Sequence, residues 1–189
     1  VASDKPRILN DSRDMAWSLI PLVALCLLIA AIASQCSFSP GGPTAGPVPS
    51  FDVDAGLQYD ARELGFPIRQ PEVPDEWQAN SGSRSIIAGA QGGDSSTVGY
   101  ITEAGRYVRF TQSDAGPTEL VSFVAGGSRA VTDFREIDGR EWVVYGGEGV
   151  EPLWVSDFGD VRILIGGSGD EAEFTTLATA AGQAEPLEP

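Results

Sequence analysis

The sequence predicts an α+β fold, an N-terminal transmembrane helix followed by an antiparallel-sheet domain with two helices, and three observations predict it. Residues 15–34 form an uncharged apolar run. A stretch rich in proline and glycine follows. Beyond it, short strand-like runs broken by glycine turns lead twice into a one-sided helical pattern.

The run at 15–34, from Met15 to Ser34, holds twenty residues without a formal charge. At 1.5 Å rise per residue, such a helix covers about 30 Å, the thickness of a bilayer's hydrocarbon core. Lys5, Arg7 and Arg13 precede it, and the next basic residue after it is Arg62. That asymmetry puts 1–14 in the cytoplasm as a tail and the remainder outside, a single-pass plasma-membrane topology. Trp17 sits where an interfacial anchor would, and Pro21 falls early enough in the helix to be tolerated. Cys26 lies inside the run and Cys36 just past it. Two other fates stay open: cleavage after Ala31-Ile32-Ala33, which has the small-residue spacing of a signal peptide site, and lipid attachment at Cys36.

A Pro/Gly-rich linker is expected over 35–58, since residues 37–50 carry four prolines and three glycines. The extracytoplasmic domain is then expected over 59–184, with a short tail at 185–189. Strands are expected at 77–80, 84–88, 97–102, 107–112, 131–137, 141–145, 152–156 and 161–165. Gly105 and Gly159 supply the positive φ of two hairpin turns. Helices begin near Pro117 and Glu119, and near Asp170 with Glu173, the latter pair spaced as a capping box. Leu120, Phe123 and Val124 in one helix, and Phe174, Leu177, Ala178 and Ala181 in the other, form apolar stripes. Strands-then-helix, twice over, predicts both helices on one face of the sheet. A gapless match of 100–125 onto 154–179 reads either as a duplicated strand-hairpin-helix unit or as a coincidence of secondary structure.

Charge and residue types exclude several functions. The chain carries a net charge of -15 over 189 residues, and the region beyond the span holds all of the imbalance. Such a surface repels phosphate backbones, so no nucleic acid partner is expected. Histidine is absent, and the single lysine is Lys5. Together these remove the commonest general base, the commonest nitrogen ligand for metals, and a Ser-Lys alternative. The Gly166-Gly167-Ser168-Gly169 run has no basic residue after it and reads as a connection, not a phosphate cradle. Glu148, Glu151, Asp157 and Asp160 lack the spacing of a calcium loop. No catalytic residue, metal site or cofactor is therefore expected.

What remains is interaction. Tyr100, Glu151, Pro152 and Trp154 are the candidate docking surface, because interfaces favour aromatic anchors and a proline at a strand start suits a rim. The competing reading of these aromatics is core packing.

Several features taken in order resemble one actinobacterial family of small membrane proteins, that of domain of unknown function 4245. They are Lys5 to Leu9, Arg13 to Met15, Trp77, Gly99-Tyr100, Gln112-Ser113, Trp142 with Tyr145, Glu151-Pro152 with Trp154, Gly167 to Gly169, and Glu173-Phe174 with Leu177-Ala178. The resemblance implies a membrane-anchored envelope protein of a high-GC Gram-positive bacterium, and brings no activity with it. The expected partners are the lipid bilayer, through the N-terminal helix, and an envelope protein. A small-ligand, lipid or cell-wall-binding domain is the alternative.

Overall fold

The protein is described by a computed structural model covering residues 12–33 and 49–188, with the side chains of the first helix described at 17 and 19–29. It divides into two units, residues 1–47 and 48–189. In the first, helix α1 spans Ser12–Ala33 and contains Pro21. Trp17, Cys26 and the leucines between them are exposed. Among the described residues, no helix is long and apolar enough to cross a membrane. The span expected at 15–34 is thus without support here. The Met15 side chain, Ser34, Cys36 and linker residues 35–48 lie outside the described residues.

The second unit opens earlier than expected. Helix α2, Val53–Glu63, occupies the end of the segment read as linker, and the domain's first backbone contact is Phe51 N–H to the Ala79 carbonyl at 2.9 Å. Asp52 starts the helix by accepting from Ala55 N–H at 3.0 Å. Leu57, Asp60 and Ala61 then fall on one buried face. The linker reading failed here because Gly56, a poor helix former, stands in the helix interior, where a Cβ would meet the Phe51 ring at 2.4 Å.

Seven strands follow: β1 Gln78–Ile87, β2 Gly93–Ile101, β3 Tyr107–Ser113, β4 Ala130–Ile137, β5 Arg140–Gly146, β6 Leu153–Asp157 and β7 Arg162–Gly167. Helix α3, Pro117–Ala125, separates β3 from β4, and helix α4, Glu171–Gln183, ends the fold. The strands make one sheet in the order β1-β2-β3-β7-β6-β5-β4, with every pair antiparallel. It is two meanders, each running from an edge to the centre, where β3 meets β7. The α+β class and the antiparallel sheet are as expected. The β4–β5 turn places Asp138 and Gly139 both at positive φ (51° and 73°), the conformation a two-residue hairpin loop requires.

The placement of the helices corrects the sequence reading. Helix α4 packs with α2 on one face, where Phe110, Tyr100, Trp142, Trp154, Ile163 and Ile165 form the larger core. Helix α3 packs on the other, over Ile87, Leu153, Val155 and Leu164. The chain leaves β3 at the centre and must reach β4 at the far edge, so α3 has to cross one face of the second meander. Only the opposite face is left for α4.

This also removes the duplicated unit. A rotation relating neighbouring antiparallel strands keeps each side chain on its own face. The offset of the repeat keeps Tyr100 and Trp154 in one core but sends Phe110 and Leu164 to opposite ones.

The last residues are not a free tail. Leu187 N–H bonds the Ile68 carbonyl at 2.7 Å, Arg69 and Pro186 form a bridge, and the Arg69 guanidinium donates to the Ala184 carbonyl. Residue 69 is held from the other side by fully buried Gln112 on β3. The Gln112 Oε1 accepts from Arg69 N–H at 2.7 Å, and its Nε2 donates to the Arg69 carbonyl at 2.9 Å. Replacing Gln112 by Leu leaves both backbone groups unpaired beside the core. Its urea midpoint should fall by an amount equivalent to about 2–4 kcal/mol; an unchanged midpoint would show that the clamp carries no stability.

Candidate functional site: a half-covered sheet face

The structure separates the four candidate docking residues. Tyr100 and Trp154 point into the larger core at 2 % and 3 % exposure. The Trp154 ring meets Phe174 of α4 edge-on at 5.4 Å, and the Tyr100 ring lies 6.3 Å from Trp77. Glu151 and Pro152 are exposed in the loop before β6. The aromatics are thus core, and the acid and proline stand apart from them.

The Gly166 to Gly169 run is structural. Gly167 has φ +124°, and a Cβ there would lie 2.3 Å from the Tyr107 carbonyl oxygen. Ser168 N–H donates to that same carbonyl at 2.9 Å. Asp170 and Glu173 then form the expected capping box on α4. Arg106 closes over both, 2.6 Å from Asp170 and 2.8 Å from Glu173. Burial alone would raise the Glu173 carboxyl, but bonds from Arg106, Thr102 and the Asp170 N–H outweigh it and hold it below the usual carboxylate range. An incoming phosphate would meet this acidic pair first.

No group of metal-ligating side chains occurs among the described residues. A wide groove of about 820 Å³ lies between residues 70–74 and α4, lined by Gln70, Glu72, Val73, Thr176, Gln183 and Glu185 among others. The Thr175 and Thr176 hydroxyls donate to carbonyls one turn back in α4. No lining residue is a nucleophile beside a base.

The feature that sequence reasoning missed is the outer part of the α3 face. Along the rung Leu164, Val155, Val143, Phe134, exposure climbs from 0 % and 3 % through half-buried Val143 to 57 % at Phe134. The parallel rung Leu153, Tyr145, Val131 ends at 46 % exposure on Val131. The apolar strip therefore continues the core beneath α3 outward to β4, an edge strand, and among residues 49–188 no element lies over its last third. Edge strands commonly carry prolines or inward-pointing charges that block further pairing. Here Asp133 and Arg135 pair with each other, and Arg135 also reaches Glu171 of α4 on the opposite face. The bulge between Val131 and Asp133 breaks the strict alternation of the strand, which is why period-two reading did not mark Val131 and Phe134 as one surface.

Two measurements check these placements. Trp154→Ala should cost about 3–5 kcal/mol of stability, whereas Glu151→Ala should stay within about 0.5 kcal/mol in the same denaturation series. Burial lifts the Tyr100 phenol from 10.0 to about 12. The unfolded chain releases this proton near pH 10 and the folded one does not, so the contribution is present below pH 10 and is lost as pH rises toward 12. Its hydroxyl has no hydrogen-bond partner among the described residues. Tyr100→Phe should therefore keep stability at neutral pH and flatten the alkaline loss; an unaltered alkaline limb would refute the assignment.

The family model of a protein of unknown function, DUF4245, matches residues 7–181. No curated protein and no solved structure matches. With the match running from ahead of α1 into the last turns of α4, the chain belongs to the DUF4245 family.

Proposed function

We propose that the chain is a non-enzymatic interaction module of the cell envelope of a high-GC Gram-positive bacterium, anchored by a single N-terminal span, with its tail in the cytoplasm and its sheet domain outside. A partner protein docks on the half-covered face and adds to the β4 edge. The observation that carries the reading is the outward rise in exposure along the two apolar rungs to Phe134 and Val131. An unpaired edge offers main-chain donors and acceptors, and alternate side chains beside it give selectivity. The anchoring half rests on the uncharged run at 15–34 and the basic residues ahead of it. The non-enzymatic half rests on the missing histidine and on a lysine confined to position 5.

The groove of about 820 Å³ beside α4 favours a second reading, a domain that binds a small ligand, lipid or cell-wall fragment. Its lining sets amides and hydroxyls beside the carboxylates of Glu72 and Glu185, which suits a neutral polyol better than an anion.

The test places a photo-crosslinking residue at Phe134 in the full chain in native membranes, and another at Ile86, which is 80 % exposed on the opposite edge strand. A discrete protein adduct at 134, absent at 86 and lost with Val131→Asp, is expected. Equal labelling at both positions sinks the edge-docking reading. Release of the full chain from membranes by alkaline carbonate sinks the anchor.

A further inference from the structure

Where α3 ends, its face of the sheet holds a small cleft of about 150 Å³. Its charged lining is Arg109, Arg129 and Glu151, and its apolar wall is Val124, Ala125 and Leu153. Arg109 stands on β3 and Leu153 on β6, both opposite Gly166 of β7, over which the Leu153 side chain folds, so register sets the arginine beside the leucine wall. Arg129 comes from the connection that carries the chain from α3 to β4.

The two arginines are unusual in this molecule. Arg84, Arg106, Arg135 and Arg162 all have carboxylate partners. Arg69 and Arg140 donate to backbone carbonyls and lie against the Phe158 ring. Among the described residues Arg109 and Arg129 form no ion pair, although the chain carries a net charge of -15 and Glu151 lines the same cleft. Both are half-buried, whereas Arg62, which likewise has no ion pair among the described residues, is solvent-exposed. Among the described residues, the partner of Arg109 is the Tyr107 ring, 5.8 Å away.

We propose that this cleft is a binding site for a monoanionic carboxylate carrying a short aliphatic group, with Arg109 and Arg129 as its ligands. Two guanidiniums against one carboxylate leave a formal charge of +1, which a monoanion neutralises. A phosphate dianion would be opposed by Glu151 and by the carbonyl end of α3, whose last turn contains no basic residue. Planar guanidinium forks match a planar carboxylate. The walls from α3 and β6 give the aliphatic part a dry contact, and the volume admits only a small head. Glu151 acts as the built-in competitor, occupying the arginines' field when the site is free.

The site is independent of docking at the β4 edge and is tested with free ligand. The full chain, labelled with nitrogen-15, is titrated with butyrate and separately with inorganic phosphate while the Arg109 and Gly167 amide resonances are followed. Saturable shifts with butyrate are expected, with weaker or no response to phosphate. Arg109→Gln and Arg129→Gln should each weaken butyrate binding about tenfold, and Glu151→Gln should tighten it by about threefold or more. A gain of affinity cannot come from misfolding, so the Glu151 variant keeps the test decisive if an arginine variant fails to fold. A flat titration overturns the proposal. So does tighter binding of phosphate than of butyrate, or an Arg129→Gln variant that loses stability while binding butyrate normally, since Arg129 would then serve only the end of α3.

Discussion

The pairing of β3 with β7 is the constraint from which the rest of the domain follows. It is the single ladder joining the two meanders, running from Val108 opposite Gly167 to Ser113 opposite Arg162. Phe110 and Ile165 meet on one side of it and Thr111 and Leu164 on the other, all fully buried. Because both meanders finish at the centre, each must be left by a helix, and the two helices depart over different faces. Gln112, on the same strand, then fixes the irregular segment around Arg69 beneath α4. A peptide-like pair between a side-chain amide and a backbone in the middle of a core is stable only while both sides are satisfied.

Coverage of the two faces is unequal for a reason of length. Helix α3 has nine residues, about 13 Å of axis, while seven strands span roughly 29 Å. It closes over Leu153, Val155 and Leu164 and stops short of β4. The other face receives α2, α4 and the segment from Leu64 to Trp77, and the larger core lies there. Both proposed surfaces therefore belong to the face that α3 leaves open, one at its outer edge and one at its C-terminal end.

Charge is organised around the same architecture. Asp60 of α2 joins β1 through Arg84 at 3.3 Å and β2 through the Ser96 hydroxyl at 2.5 Å, and Arg106 ties the β2–β3 turn to the start of α4. These pairs link elements that are distant in the chain, so carboxylates abundant in the sequence become specific only once the sheet has formed. The arginines left over are informative because most of the others have partners.

Local signals carried much of this fold without help. The hairpin glycines, the Asp170–Glu173 cap, the proline opening α3 and the apolar stripe of α4 each act within a few residues and appear where the sequence places them, whereas the α3 stripe is turned, with Val121 buried beside Leu120 and Phe123 left 46 % exposed. Acidity and the absence of histidine likewise belong to the sequence alone. Tertiary structure decided what no local pattern encodes. A strand presents alternate residues to both faces, and which face becomes core depends on what later covers it. Trp154 was legible as an aromatic on a strand, but only α4 arriving over that face made it interior. Phe134 was legible in the same terms, and only the short reach of α3 left it outside.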